Sequence, residues 1–304
     1  MSNDLEILFP DNRESFKNEP DIKKVQLIAL RILKIVDYIC RKNNIEYILD
    51  GGTLLGAVRH GGFIPWDDDI DIAMSRENYE KFLSLAKELL PKDMFIQNLN
   101  TTSRASNTWT QIKDRKSKMI IFGGENQHQG VYLDIFPCDY YSKNKFKRFN
   151  ETFLKHCYIV SYAINSPFKK PLLTTNSLKK LIAKIVGFPF ILFNPTMIYS
   201  FNIKNRYKKI DMLKKNDKKI IGYGTDVLNF NVFWDNKTLF PVTEIEFESF
   251  KFLGPNNPHK YLCNLYGEDY MTLPPIEKRV WHNTHIKIDL TKEEIIELNK
   301  DFQY

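Results

Sequence analysis

Three aspartates with alternating spacing are the most chemically distinctive feature of the chain. Asp67, Asp69 and Asp71 are separated by Asp68 and Ile70 in the run WDDDIDIAM. An extended strand sends alternate side chains to opposite faces, so one face would carry up to three carboxylates. Carboxylates crowded in this way resist joint ionisation without a cation between them. The spacing therefore predicts a site for a hard divalent cation, Mg²⁺ in the first place and Mn²⁺ as the alternative.

A further acid, Asp134, stands in a strand pattern that is otherwise apolar. It lies in the segment GVYLDIF, and a buried acid without a partner is costly. Sites for phosphoryl or nucleotidyl transfer use two or three carboxylates to hold Mg²⁺, and the third usually comes from a neighbouring strand. Asp134 is the best candidate for it. The alternative is a structural salt bridge from Asp134 to Lys113 or Arg115.

A glycine pair precedes the aspartates. Gly51 and Gly52 follow Asp50 at the junction of a predicted strand, residues 46–49, and a predicted helix, residues 53–59. Glycines at such a junction let the backbone approach a ligand, and the N-terminus of a helix favours phosphate. The alternative is a plain turn.

The elements around these residues follow from hydrophobic periodicity. An amphipathic helix is predicted over residues 22–43, and a second one, capped by Ser75, over residues 77–90. The aspartates fall on a predicted strand, residues 69–74. Further strands are predicted at residues 94–98, 109–113, 118–122 and 132–136, a hairpin within residues 240–256, and a short helix that ends near Gly267. This order predicts an α+β fold with a mixed β-sheet and flanking helices.

Composition and charge describe a folded, basic protein. Of its 304 residues 43% are apolar, and the formal net charge is +7, which favours anionic partners. The predicted division is a catalytic core over residues 1–141, a basic and mainly helical insertion over residues 142–220, and a C-terminal part, residues 221–304, that completes the active site. The insertion is either a solvated cationic face or a peripheral contact with an anionic membrane. Without a signal-like N-terminus or a long apolar stretch, we expect a cytoplasmic protein, bound at most to the inner face of the membrane.

The four cysteines are predicted to be reduced and mostly buried, with no CxxC motif and no Cys/His pair at zinc spacing. They are Cys40, Cys138, Cys157 and Cys263.

The stretch GGTLLGAVRHGGFIPWDDDIDIAM resembles the signature of the LicD family, and GVYLDIFPCD and YLCNLYGEDYMTLPP resemble later segments of that family. The resemblance implies a nucleotidyltransferase-like fold and transfer of a phospho-alcohol, phosphocholine from CDP-choline in the first place, to a glycan, a lipid-linked glycan or a teichoic acid precursor. CMP would be released. A branch similar to fukutin-related protein uses CDP-ribitol. The zinc-binding cysteine cluster of that branch has no counterpart here, so we predict no structural zinc.

The resemblance also implies roles for individual residues. Asp69, Asp71 and Asp134 match the metal-binding acids, and Asp67 or Asp68 would serve as a base or hold a water. Gly51, Gly52, Thr53 and Lys113 would contact phosphate. Arg59 and His60 would neutralise the diphosphate or orient the acceptor, unless they only complement the dipole at the end of their helix.

Two features near the C-terminus extend this prediction. Arg279 and His282 face either the substrates or the surface. A donor with a quaternary ammonium group would require an aromatic cage, for which the candidates are Trp109, Tyr132, Trp234, Tyr266 and Trp281.

Three alternatives to phospho-alcohol transfer remain open from the sequence. They are true nucleotidyl transfer with release of pyrophosphate, a non-catalytic scaffold that binds glycan or membrane, and a nucleic-acid enzyme. The last is the least favoured, because no RNA-binding module is recognisable, and we expect no nucleic-acid partner.

Overall fold

A computed structural model describes residues 2–98, 101, 108–120, 127–153, 197, 200–201, 203–208, 219–227, 231–279 and 284–302. Contacts within it divide the chain into two compact units, one of Met1–Cys138 with Asn236–Tyr304 and one of Asp139–Asp235. The boundaries predicted from the sequence were 141/142 and 220/221. Apart from Trp234, a predicted cage residue in the second unit, the candidate site residues belong to the first unit.

The described part of the chain contains seven labelled helices. The longest, α2, buries Ile32, Ile35 and Val36 completely, as its 3.6-residue periodicity predicts. The helix α4 begins after Ser75, whose hydroxyl accepts a hydrogen bond from the backbone N–H of Asn78, so the predicted cap is confirmed. The bounds are α1 Ser2–Leu8, α2 Asp21–Lys42, α3 Gly51–His60, α4 Arg76–Leu89, α5 Asn236–Leu239, α6 Pro258–Tyr266 and α7 Lys292–Asn299.

Eleven labelled strands run through the described residues. Their bounds are β1 Ile48–Leu49, β2 Asp71–Ser75, β3 Met94–Gln97, β4 Thr110–Asp114, β5 Lys118–Ile120, β6 Tyr132–Ser142, β7 Lys219–Tyr223, β8 Phe233–Asp235, β9 Thr243–Phe247, β10 Phe250–Gly254 and β11 Thr284–Lys287.

The main sheet of the first unit has the strand order β1-β2-β6-β4-β3. The central pair, β2 and β6, is parallel, whereas β1 with β2, β6 with β4 and β4 with β3 are antiparallel. The protein is therefore a mixed α/β structure with a mixed sheet and flanking helices. Strands β9 and β10 form the predicted hairpin, and β5 pairs with β11.

Several predicted bounds need correction. The strand of the aspartates begins at Asp71 instead of Asp69, because pairing with β6 begins with Asp71 opposite Asp134. The helix α3 begins at Gly51, so the two glycines form its first turn instead of preceding it. The strand β6 continues six residues beyond the predicted end at Phe136, through Pro137.

The second unit contains β7 and β8, which pair in antiparallel fashion, and helical residues 145–153 and 203–208. Within it the guanidinium of Arg206 donates to the carboxylate of Asp139 at 3.4 Å, with both side chains buried. Most of the predicted basic insertion, including Cys157, lies outside the described residues. None of the helices described is long and apolar enough to cross a membrane.

Candidate active site

A cavity of about 460 Å³ opens beside α3 and the start of β2. One wall is acidic, and the opposite wall comes from α6 and the segment that follows it. The lining includes the carboxylates of Asp67, Asp69, Asp71 and Asp269, the aromatic rings of Trp66, Tyr266 and Tyr270, and Gly52, Arg59 and Thr272. The three alternating aspartates thus face one space, whereas Asp68 is only 1% exposed and does not line the cavity.

Backbone hydrogen bonds fix Asp71 at the first position of β2. Its N–H donates to the hydroxyl of Thr53 on α3 at 2.8 Å. Its carbonyl accepts the N–H of Asp50 at 3.0 Å. The carboxylate of Asp71 is therefore held between the sheet and the first turn of α3.

Asp134 lies directly beside Asp71 on the parallel strand β6. In-register residues of parallel strands point to the same face, so the two carboxylates are neighbours. The amide of Gln111 on β4 donates to Asp134 at 2.7 Å, and the Asp134 N–H donates to the Ile70 carbonyl at 2.8 Å. Asp134 is 6% exposed and lies next to the cavity without being among the residues that line it.

Burial and mutual repulsion shift the acids towards the protonated form. Burial, followed by the charge of Asp69, raises the pKa of Asp134 to about 7. Burial and then Asp69 and Asp134 raise the pKa of Asp71 well above its usual range. The pKa of Asp67 is raised in the same way, by burial and then by Asp69 and Asp68. Such a cluster becomes fully ionised most easily when a cation offsets the repulsion.

The donor set fits a hard divalent ion. Carboxylate oxygens are the ligands that Mg²⁺ and Mn²⁺ prefer. Donor oxygens of Asp67, Asp68 and Asp69 all lie within 4.8 Å of one another. Asp71 and Asp134 are in register with each other, and the charge of Asp69 acts on both. The residues present are therefore suited to the predicted metal.

The absence of a side chain at Gly52 leaves space for the Asp67 carboxylate. A Cβ atom at this position would lie 2.6 Å from Oδ2 of Asp67, closer than van der Waals contact permits. The glycine pair thus serves the carboxylate arrangement as well as any approach of phosphate to the first turn of α3.

Asp50 is a site residue that sequence analysis missed. It caps α3, with its carboxylate accepting the Gly51 N–H at 2.7 Å. The same oxygen accepts the hydroxyl of Tyr261 on α6 at 2.6 Å, and Asp50 is completely buried. An aspartate directly before a helix is a recognisable N-cap signal, so the sequence did carry this information.

The side chains of Arg59 and His60, at the end of α3, have different surroundings. The guanidinium of Arg59 lines the cavity and donates to the carbonyl of Tyr270 at 3.0 Å. Burial is the main cause that lowers its pKa, while Asp67 acts in the opposite direction. His60 is exposed, packs edge-on against Trp66 and is not among the residues that line the cavity. The structure therefore brings only Arg59 to the acids.

Two other predicted phosphate ligands have structural partners. The Thr53 hydroxyl receives the Asp71 N–H. Lys113 is completely buried, donates to the His128 carbonyl at 2.9 Å and is not among the cavity-lining residues. Burial lowers the pKa of Lys113 to about 7, and the charge of Asp134 opposes that shift. Lys113 thus lies close enough to Asp134 to influence it electrostatically.

Of the predicted cage residues, Tyr266 lines the cavity. Trp109 packs on Phe136, the Tyr132 ring lies 4.6 Å from the Lys113 ammonium, and Trp234 is buried within the second unit. Trp281 and His282 lie outside the described residues.

Trp66 and Tyr270, which sequence analysis did not select, also line the cavity. The predicted residue Arg279 packs its guanidinium 5.3 Å from the Trp66 ring centre. The positions of these side chains depend on a loop and a C-terminal segment, for which no local pattern exists.

Comparison with known proteins supports the family resemblance. Residues 44–181 match the family described as LicD/FKTN/FKRP, nucleotidyltransferase domain. The lipopolysaccharide cholinephosphotransferase LicD of Haemophilus influenzae is 29% identical over 272 residues, which cover 86% of this chain and 96% of that protein.

Two further relatives match over shorter stretches. An uncharacterised protein of Rickettsia typhi is 31% identical over 124 residues, or 40% of this chain and 38% of the relative. Human ribitol 5-phosphate transferase FKRP is 53% identical over 34 residues, or 11% of this chain and 7% of FKRP. The family match over residues 44–181 and the similarity to a LicD protein along 86% of the chain support the assignment of this protein to the LicD family.

Proposed function

We propose that this protein transfers a phospho-alcohol, phosphocholine in the first place, from a CDP-activated donor to a hydroxyl of a cell-surface glycan or its lipid-linked precursor, and releases CMP. The observation that carries the proposal is the meeting of Asp69, Asp71 and Asp134 beside one cavity. By their names, one relative transfers cholinephosphate and another transfers ribitol 5-phosphate. A cavity of about 460 Å³ is within the usual range for sites of small ligands.

The reaction forms a bond between the acceptor oxygen and the phosphorus that carries the alcohol. It breaks the bond from that phosphorus to the oxygen that leaves with CMP. The acceptor hydroxyl must lose its proton, and Asp67 is our candidate base because its carboxylate lines the cavity beside Asp69. Asp68 is buried and does not line the cavity, so we assign it no direct part in this proton transfer.

Asp69, Asp71 and Asp134 would hold Mg²⁺, with Mn²⁺ as the alternative. When bound, such an ion offsets the charge of the diphosphate oxygens. At the first turn of α3, the backbone N–H of Gly52 would face the same oxygens. The predicted contact from Gly51 is corrected, because its N–H already donates to the Asp50 carboxylate. Arg59 adds a positive charge from the end of that helix.

The aromatic side of the cavity suits a quaternary ammonium group. Trp66, Tyr266 and Tyr270 all contribute ring surface to it, and the faces of aromatic rings attract cations. Carboxylates of the same cavity add negative charge. This combination favours choline over an uncharged polyol such as ribitol.

The test is incubation of the purified protein with Mg²⁺, a panel of CDP-alcohols and a panel of glycan acceptors, with CMP measured by chromatography. We expect CMP from CDP-choline at a higher rate than from CDP-ribitol. The variants Asp71→Asn and Asp134→Asn should lose CMP release by about a hundredfold or more, since removing an interaction that stabilises transition-state charge costs ~3 kcal/mol or more. Asp21→Asn, at the start of α2 and outside the cavity, is the control and should keep full activity. Full activity of Asp71→Asn would contradict the metal assignment.

The same assay, repeated with a nucleoside triphosphate in place of the CDP-alcohol, separates the two alternatives. Nucleotidyl transfer would release pyrophosphate from the nucleoside triphosphate and no CMP from a CDP-alcohol. A non-catalytic scaffold would bind CDP-alcohols without turnover across all acceptors. Mass spectrometry of the products identifies which group has moved.

We also propose peripheral contact with anionic membrane through the basic region. In its described part, Phe146 and Phe149 are exposed beside Lys145, Lys147 and Arg148, a composition that suits an interfacial helix. Co-sedimentation with anionic liposomes should fall at high salt. Equal partitioning at low and high salt would contradict an electrostatic contact.

A further inference from the structure

A second set of side chains with metal-binding chemistry lies on α6 and in the turn after it. His259 and Cys263 are four residues apart on this helix and share one face. The chain turns at Gly267, the C-cap, and Glu268 comes back so that its carboxylate lies 3.3 Å from the Cys263 sulfur. One donor atom from each of the three residues lies within 4.8 Å of the other two. The sequence prediction, which found no Cys/His pair at zinc spacing, did not count this pair.

Two of the three separations between donor atoms are close to those around a tetrahedral zinc ion. With Zn–S of about 2.3 Å and Zn–N of about 2.0–2.1 Å, a tetrahedral ion places sulfur and nitrogen about 3.6 Å apart. The Cys263 sulfur lies 3.6 Å from Nε2 of His259. Its distance of 3.3 Å to the Glu268 oxygen is close to the value of about 3.5 Å for a sulfur and an oxygen ligand. The third separation, between His259 and Glu268, is within 4.8 Å, and the sulfur lies 3.8 Å from Nδ1 of His259. Binding of an ion would therefore require the side chains to adjust around it.

The other nitrogen of His259 provides an independent observation. Nδ1 lies 3.0 Å from the hydroxyl of Tyr270. Histidine ligands of metals usually donate their second N–H to a fixed acceptor, which sets the tautomer and the orientation of the ring. With Nε2 towards the cluster, Nδ1–H would donate to Tyr270, and Tyr270 is held in place because it is 8% exposed.

We propose that His259, Cys263 and Glu268 bind a divalent transition-metal ion of the zinc class, with water as the fourth ligand. Thiolate and imidazole select such an ion, whereas the carboxylates of the cavity suit Mg²⁺ or Mn²⁺. Binding requires the Cys263 thiol to release its proton to solvent. The hydrogen bond from His259 then links the ion to Tyr270 at the cavity wall, so the ion would fix the position of that wall. The inference does not depend on the proposed function.

The first test is titration of the full-length protein with Co²⁺ in the presence of excess Mg²⁺. Mg²⁺ competes for the carboxylate site, and a thiolate-to-cobalt charge-transfer band reports only a site that contains cysteine. We expect one equivalent of Co²⁺ to saturate this band. It should be absent in Cys263→Ala and should need about tenfold more Co²⁺ or more in His259→Ala and Glu268→Gln. Cys138→Ala, which removes a buried cysteine of β6, is the control and should keep the band.

The second test uses the unmodified chain, so that it does not depend on the folding of variants. Iodoacetamide labelling followed by peptide mass spectrometry measures the alkylation rate of Cys263. One equivalent of Zn²⁺ should slow that rate about tenfold or more, and a chelator should restore it. Absence of both the cobalt band and the zinc protection, or a band that survives in Cys263→Ala, would overturn the proposal.

Discussion

Single residues hold the cavity carboxylates in place through local contacts. Asp71 is positioned by the Thr53 hydroxyl and the Asp50 backbone, and Asp134 by the Gln111 amide. Because these contacts leave each acid beside another acid, the cost of crowding is part of the native structure. A site that is costly without its ligand is typical of function.

Gly52 provides the sharpest test at the residue scale. Alanine would improve the helix propensity of α3 by up to ~1 kcal/mol, but its Cβ would displace the Asp67 carboxylate, which lies 2.6 Å from that position. Asp67 is a side chain that can move, so Gly52→Ala should keep or raise the melting temperature and lower CMP release at least about tenfold. Both are measured on the same preparation.

Gly56→Ala is the matched control in the same helix. Its Cβ would meet the backbone carbonyl of Gly62, which cannot move without the loop. It should lower the melting temperature clearly. If Gly52→Ala behaved like Gly56→Ala, the glycine would serve packing alone.

At the scale of elements, a buried hydrogen bond connects α6 to the N-terminus of α3. The hydroxyl of Tyr261 donates to Asp50, which also caps α3. Loss of a partner to a buried charged group costs about 1–3 kcal/mol. Tyr261→Phe should therefore lower the free energy of unfolding by that amount in urea titrations, whereas Tyr38→Phe, at a half-buried position of α2, should change it little. An unchanged stability of Tyr261→Phe would show that Asp50 finds another donor.

The C-terminal helix α7 is attached to the sheet through His128. Nδ1 of His128 accepts the Gly130 N–H at 3.0 Å, so Nε2–H donates to Asn299 of α7, at 3.3 Å. Burial, then the charge of Lys113, lowers the pKa of His128 from 6.5 to about 3. The buried ring is thus neutral, and the unfolded chain binds a proton that the folded chain does not.

Stability should therefore fall as the pH falls below 6.5 towards 3, by about 1.4 kcal/mol per pH unit from this residue. Urea titrations between about pH 5 and 7 measure the slope, since most carboxylates remain ionised there. His128→Gln removes the titrating group and should reduce this slope by the contribution of one bound proton, about 1.4 kcal/mol per pH unit. The exposed variant His285→Gln should leave the slope unchanged. Equal slopes in wild type and His128→Gln would contradict the buried neutral ring.

Sequence patterns predicted those parts of the site that depend on local periodicity. The alternation of Asp67, Asp69 and Asp71 depends only on an extended chain, and the α2 helix, the Ser75 cap and the hairpin follow from spacing and caps. Lys113 was different. Its strand was predicted, but the direction of its ammonium towards the His128 carbonyl depends on tertiary packing. Tyr270 and Asp269 were not predicted as site residues, because only the fold brings their segment to the acids.

At the scale of the whole molecule, the first unit is built from two distant parts of the chain, Met1–Cys138 and Asn236–Tyr304. The acids come from the first part, and the aromatic wall at Tyr266 and Tyr270 comes from the second. The cavity therefore requires the folded unit as a whole. Its acidic wall also contrasts with the formal net charge of +7, which draws anionic substrates towards the protein but not specifically to the acids.

This arrangement predicts that Mg²⁺ stabilises the entire unit. A ligand that binds only the folded state adds about 2.7 kcal/mol at a concentration a hundredfold above its dissociation constant. Thermal unfolding with Mg²⁺ should therefore occur at a higher temperature than with a chelator. The variant Asp71→Asn tests this prediction, because it removes one charge from a crowded, buried cluster whose repulsion raises the pKa of Asp71.

Without metal, Asp71→Asn should melt above the wild type, and the increment from Mg²⁺ should be lost. Asp21→Asn, outside the cavity, should show the wild-type increment. These two results together distinguish a metal site from general screening, since screening by salt would raise the melting temperature of all three proteins alike. A Mg²⁺ increment that survives in Asp71→Asn would place the ion elsewhere in the fold.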